Sequence, residues 1–158
     1  MLPKRLVPTP VGELTLVASP SGLRRILWAG QAPPERCEDG SCDVLDEAAR
    51  QLRAYFAGDL RRFDLPLDLV GTEFQVAAWR ALADIPFGTT VTYGEQAQRL
   101  GRPKAVRAVG AANGRNPLPI VLPCHRIVGA DGSLVGFGGG LPRKRALLEH
   151  EARFALRR

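Results

Sequence analysis

At 158 residues the chain has room for one domain or two small ones, each with a real core. Its 45% apolar and 24% charged residues are the proportions of an ordinary soluble globular protein, and no apolar run approaches a membrane span. Three cysteines are an odd count, which argues against a disulfide framework and for a reducing compartment, and the first residues lack the apolar core of a signal peptide. The net charge of +6 is unevenly placed: residues 1–91 hold 10 Lys and Arg against 12 Asp and Glu, whereas residues 92–158 hold 12 against 4. A positive excess confined to the back half favours an anionic partner, and DNA is the simplest one.

In chain order, Leu14, Leu16 and Ala18 alternate with Thr15 and Val17, which predicts a strand running from Gly12 to the turn cluster Ser19-Pro20-Ser21-Gly22. Leu23 to Trp28 reads as the returning strand. Residues 29–43 read as a loop containing Cys37 and Cys42. Two thiols need further ligands to hold a metal, and both histidines lie in the back half, so these read as a surface thiol pair and no metal site is assigned. From Asp43, the spacing of Leu45, Ala48, Ala49, Leu52, Tyr55 and Phe56 predicts a helix closed by Gly58. Phe63, Leu65, Leu67 and Leu69 alternate with polar residues and predict a third strand, at an edge because Pro66 has no N–H. The front part, residues 1–70, therefore reads as a small α/β scaffold domain with three strands and one helix.

The back part, residues 71–158, reads as mainly helical, which makes the whole chain α+β. Thr72 to Gln75 has the spacing of a capping box and opens a helix with a stripe of Phe74, Ala77, Ala78, Ala81, Leu82 and Ile85. Thr92 to Glu95 is a second capping box, on a short helix that stops at Gly101. Pro103 suits the first position of the next helix, which runs to about Asn113. Two short helices joined by a Gly-containing turn form either a helix-turn-helix or ordinary core packing. The second carries Lys104 and Arg107 among small residues (Ala105, Ala108, Gly110, Ala111), which suit helix packing or close approach to a narrow groove. In the last helix Glu151 interrupts an apolar stripe of Leu147, Leu148, Phe154 and Ala155. A carboxylate there needs a partner: an arginine in a structural ion pair, or a histidine it orients.

Between these helices lies Pro119-Ile-Val-Leu-Pro-Cys124-His125-Arg126-Ile-Val-Gly129. An apolar extended run stops at Pro123 and delivers a thiol, an imidazole and a guanidinium in succession. A lone Cys is often just a buried hydrophobe. Here His125 can take its proton and a cationic Arg126 would favour the thiolate.

Pro-Cys-His-Arg between aliphatic pairs resembles the active-site signature of the O6-alkylguanine-DNA alkyltransferases. The resemblance extends from Thr72 to Glu151 through Tyr93, Arg107, Asn116-Pro117, Gly138-Gly139-Gly140 and Leu147-Leu148-Glu149-His150-Glu151. It implies a ribonuclease H-like front domain and a winged-helix or helix-turn-helix back domain. It implies direct-reversal repair of DNA, in which Cys124 irreversibly takes the alkyl group from O6-alkylguanine, with O4-alkylthymine as a second candidate lesion, once per molecule and without a cofactor. His125 and Glu151 would serve Cys124, Tyr93 would donate a proton to the leaving guanine, and Asn116 would position the loop. Arg107 would enter the base stack in place of a flipped nucleotide, in the minor groove, with Arg102, Lys104, Ala108 and Gly110 on the same DNA-facing helix region. Ile127, Phe137, Gly138, Gly139 and Asn113 would surround the lesion. Val135-Gly136 departs from the Thr-Gly often found before the aromatic, and Asn113 stands where some relatives have an apolar residue. The resemblance further implies a monomer, without membrane contact, working in the cytoplasm on nucleoid DNA. Rival readings are a cysteine hydrolase built on Cys124, His125 and Glu151, a regulator inserting Arg107 and Lys104 into the major groove, and a lesion sensor that binds without transfer.

Overall fold

The computed structural model describes residues 1–156, and the chain divides into two compact units, the first Met1–Leu69 and the second beginning at Val70. Arg157 and Arg158, counted in the positive balance above, lie outside the described residues.

The first unit is a sheet of four strands rather than three: β1 (Leu2–Val7), β2 (Leu14–Ser19), β3 (Gly22–Leu27) and β4 (Cys37–Asp39), in the order β3-β2-β1-β4. β2 pairs antiparallel with both β1 and β3, and β4 adds parallel to β1. Four departures from the sequence reading have local causes, and the first three lie in the strands. β1 carries Pro3, Lys4 and Arg5, so its pattern is not apolar enough to announce a strand. β4, within the stretch read as a loop, has only three residues, two of them exposed and acidic. A register shift between Val17 and Ala18 breaks the alternation of β2, so that both are buried along with Leu14 and Leu16.

The fourth departure is the segment 63–69, which touches β3 through a single bridge, Leu23 to Leu67, and is not a strand. Its backbone is shared between Gln51 and that one bridge. Buried Gln51 accepts from Asp64 N at 2.9 Å and donates to Asp64 O at 2.8 Å. Leu23 N donates to Pro66 O at 2.8 Å, an approach that Gly22 permits, since a Cβ there would lie 2.5 Å from that oxygen. Helix α1 (Asp43–Phe56) covers the sheet with Leu45, Ala48, Ala49, Leu52 and Tyr55 buried, and Gly58 follows its end with φ +83°, as the spacing predicts.

The second unit holds α2 (Glu73–Leu82), β5 (Val91–Thr92), α3 (Tyr93–Arg99), α4 (Val106–Gly114), β6 (Ile127–Val128) and α5 (Leu141–Ala155). Both predicted capping boxes form: Thr72 and Gln75 cap α2, and Thr92 and Glu95 cap α3. α3 and α4 pack together as the two helices of the helix-turn-helix. Pro103 does not open α4. It lies in a turn closed by Ala105 N donating to Arg102 O, and the helix begins at Val106. Trp79 of α2 donates its indole N–H to Ala112 O at 2.8 Å and holds α4 from its buried side. β5 and β6 form a short parallel pair that brings the start of α3 beside the segment following Cys124. Among the described residues no helix is long and apolar enough to cross a membrane.

Candidate active site

The chain between α4 and β6 is buried almost without interruption from Pro117 to Val128, an unusual environment for a loop, and its polar backbone groups are satisfied locally. Asn116 does much of this: its Nδ2 donates to Leu122 O at 2.7 Å and its Oδ1 accepts from Leu118 N at 2.9 Å. Leu122 N donates back to Leu118 O, closing a compact turn. Inside that turn buried Ile120 has φ +75°, a conformation that disfavours a β-branched side chain by about 1–3 kcal/mol. The surrounding bonds hold it. Cys124, His125 and Arg126 then form one tight 3-10 turn, with Cys124 8% exposed and His125 fully buried.

The Glu151 carboxylate, from α5, sits against this turn and is 1% exposed. It accepts from His125 Nε2 at 2.7 Å, from Arg126 Nε at 2.8 Å and Nη2 at 2.9 Å, and from Gly88 N at 3.2 Å. Both partners weighed for this carboxylate, the histidine and an arginine, are therefore present. Burial opposes its charge, but the hydrogen bonds from His125 and Arg126 outweigh that and hold the carboxyl well below the usual carboxylate range. An ionised Glu151 fixes the tautomer: Nε2 carries the proton and donates it, which leaves a lone pair on Nδ1. Nδ1 is buried and makes no hydrogen bond among the described residues. Burial pushes the His125 pKa down against the pull of Glu151, so the ring rests neutral, ready to accept a proton.

Arg126 does not face the thiol, contrary to the sequence reading. Its guanidinium is spent on Glu151 and on Ile85 O, to which Nη1 donates at 2.6 Å. The cation that acts on Cys124 is Lys144 of α5, which is fully buried and donates from Nζ to Val135 O at 3.0 Å. Burial pushes the Cys124 thiol up, while a hydrogen bond from Asn116 and the charge of Lys144 pull it down without cancelling the burial. Lys144 was legible in principle. It falls three residues before Leu147 and seven before Glu151, in the same stripe that singled out Glu151.

Cys124 opens into a pocket of about 240 Å³ lined by Tyr93, Gly110, Asn113, Gly114, Gly136, Phe137 and Gly138. That is smaller than the roughly 300–1,000 Å³ of drug-sized sites. The Tyr93 hydroxyl donates to Val135 O at 3.1 Å, the carbonyl that Lys144 also holds. Burial raises the Tyr93 pKa, and a negative charge on Cys124 adds to the rise, so the phenol stays protonated. Outside the pocket, α4 exposes Arg107, Ala108 and Ala111.

Residues 73–153 match the family model described as 6-O-methylguanine DNA methyltransferase, DNA binding domain, and residues 2–69 match the corresponding ribonuclease-like domain. A methylated-DNA–protein-cysteine methyltransferase of Mycobacterium tuberculosis is 48% identical over 153 residues, covering 96% of this chain and 93% of that one. The namesake protein of Methanosarcina acetivorans is 45% identical over 90% of this chain and 94% of its own length. The chain belongs to the methylated-DNA–protein-cysteine methyltransferase family. A crystal structure of the M. tuberculosis OGT in complex with DNA, 47% identical, matches with a TM-score of 0.89 over 96% of this chain and 94% of that one.

Within this methyltransferase fold, the residues singled out in the sequence separate by position. Cys124, Tyr93, Asn113, Gly110, Phe137 and Gly138 converge on the pocket, and His125, Glu151 and Asn116 support it from behind. Arg107, Lys104 and Ala108 are exposed on or just before α4, while exposed Arg102 lies with its guanidinium 5.7 Å from the Phe74 ring. Two expected pocket residues are absent from the lining: Ile127 is fully buried in β6, where its strand pairing turns it into the core, and Gly139 lies just past the wall that ends at Gly138. Gly114 and Gly136 stand there instead. Among the described residues no group of three His, Cys, Asp or Glu side chains is placed to hold a metal.

Proposed function

We propose that this protein repairs O6-alkylguanine in double-stranded DNA by moving the alkyl group to Cys124, once per molecule. The observation that carries this reading is one pocket shared by a thiol, which His125, paired with Glu151, follows in the same turn, and a phenol, Tyr93, beside the exposed face of α4. α4 lies along the minor groove, and the damaged base leaves the stack to enter the pocket, with Arg107 offsetting the cost of unstacking. Cys124 gives its proton to His125 Nδ1, directly or through a water, and Glu151 stabilises the imidazolium that results. The sulfur attacks the alkyl carbon in line, the C–S bond forms as the C–O6 bond breaks, and the electron pair goes to the guanine oxygen. Tyr93 donates its proton at N3 as that charge develops, and unmodified guanine leaves. The product is a stable thioether on Cys124, so each molecule acts once. Asn116 holds the Cys124 loop, the first unit is a scaffold, and the protein acts as a monomer in the cytoplasm with the nucleoid as its working site.

The test is intact-protein mass after mixing with a duplex that carries one O6-methylguanine. One methyl per protein, located on Cys124 and absent from Cys124→Ala, is the expected result. Tight binding with no mass change would leave a lesion sensor in place of a transferase.

A further inference from the structure

Buried Gln96 of α3 carries no role in the chemistry above, yet it makes a directional contact with the pocket wall. It is 2% exposed, and its Nε2 donates to Asn113 Oδ1 at 3.0 Å while Asn113 Nδ2 donates to Gln96 Oε1 at 2.8 Å. We propose that Gln96 is a positioning residue for alkyl transfer: paired with Asn113, it fixes the pocket wall and the Tyr93 hydroxyl in register with Cys124. The proposal rests on the alkyltransferase reading.

The geometry makes two rungs between the helices. Tyr93 and Gln96 lie three residues apart on α3, hence on one face, and Gly110 and Asn113 do the same on α4. In the first rung the Tyr93 ring lies over Gly110, where a Cβ would come 3.9 Å from the ring. A flat ring over a glycine has nothing to index its position along the helix. The second rung has two opposed hydrogen bonds, which fix both spacing and rotation. Three of these four residues line the pocket, and Gln96 is the one behind them.

Just past the end of α4, Asn116 N donates to Asn113 O at 3.2 Å, and the Asn116 amide holds Leu122 O two residues before Cys124. The helix that carries the proton donor is thus indexed, through Gln96 and Asn113, to the helix whose end sets the nucleophile. The reciprocal pair occupies the edge of the Asn113 carboxamide on which O and N–H point the same way. Asn113 therefore has no two-pronged edge left for reading a base, and its contribution is a fixed position.

The test measures single-turnover transfer at saturating O6-methylguanine duplex, alongside affinity for the undamaged duplex. Misplacement near 1 Å can cost on the order of 100-fold in rate, so Gln96→Leu is expected to slow transfer at least tenfold with undamaged-DNA affinity unchanged. The double variant Gln96→Leu/Asn113→Leu leaves no buried amide unpaired, which protects folding, and should be equally slow. The exchange Gln96→Asn/Asn113→Gln rebuilds the reciprocal pair with the same number of atoms between the helices and should recover transfer to within threefold. Wild-type transfer by the double-Leu variant would overturn the proposal, as would a parallel loss of undamaged-DNA affinity in Gln96→Leu. Failure of the wild-type protein to transfer at all would overturn the alkyltransferase reading itself, and this inference with it.

Discussion

His125 and Cys124 rest as a neutral pair, and that sets how their chemistry responds to pH. Burial lowers the His125 pKa from its ordinary value and raises that of Cys124. Between roughly pH 6.5 and 8.5, the ordinary imidazole and thiol values, the resting site therefore holds a thiol and an imidazole, and in the proposed mechanism the proton that leaves the thiol passes to His125 inside the protein. A proton that never reaches solvent makes the rate independent of pH. Single-turnover transfer is expected to be flat across that window, to fall below the lowered His125 value where imidazolium cannot accept, and to rise above the raised Cys124 value where thiolate is already present. A tenfold rise per pH unit through the window would mean that the thiol ionises to solvent, and would remove His125 as its acceptor. Lys144 acts on the height of this plateau rather than on its slope. Its buried charge stabilises the thiolate formed in the internal transfer, so Lys144→Met should lower the whole plateau about tenfold, near 1.4 kcal/mol, without tilting it.

At the scale of elements, Glu151 joins three pieces of chain that are distant in sequence: α5, the 3-10 turn of Cys124 to Arg126, and the turn after α2 that presents Gly88 N and Ile85 O. Gly88 is suited to that turn by its φ of +80° and by the absence of a Cβ, which would stand 2.6 Å from the Ala155 Cβ. Replacing Glu151 by Gln leaves the buried Arg126 cation with no carboxylate. Removing one partner of a buried pair costs about 3–5 kcal/mol, so Glu151→Gln should unfold at a clearly lower temperature at pH 7 as well as losing transfer. The sign with pH follows from the lowered carboxyl pKa. Its stabilisation is complete above the unfolded value of about 4.3 and is lost as pH falls below it, so the gap between wild type and variant should close in acid. A gap of equal size at pH 7 and pH 3 would show that the ion pair is not its source. The sequence made the carboxylate visible because one charge interrupted an apolar stripe, and it made the capping boxes and the α1 period visible because those signals are local. It hid the orientation of Arg126, which is decided by where the turn after α2 arrives. It likewise hid β4 and the Gln51–Asp64 contact, because there the partner lies far along the chain and the local pattern is polar.

Across the whole molecule the charge is divided between the units. The first, 1–69, holds 9 cationic and 10 anionic side chains, and the second, 70–158, holds 13 and 6. The unit that carries α4 thus brings nearly all of the attraction for a polyanion, and undamaged duplex should bind more weakly as salt rises. Two cations near the start of α4 are expected to behave differently in that measurement. Exposed Lys104, in the turn before the helix, suits a phosphate contact, so Lys104→Ala should reduce the salt slope by about 0.9 and weaken all sequences alike. Arg107 has another expected task, to fill the stack that the flipped base leaves. Its worth then depends on how much stacking and pairing the lesion had to give up. An O6-methylguanine facing an abasic site has no partner base to part from, so Arg107→Ala should slow transfer severalfold less there than in a fully paired duplex. The comparison is a ratio of ratios, and a general loss of DNA affinity cancels from it. An equal defect on both duplexes would make Arg107 another phosphate contact and leave the cost of extrusion to be met by the pocket alone.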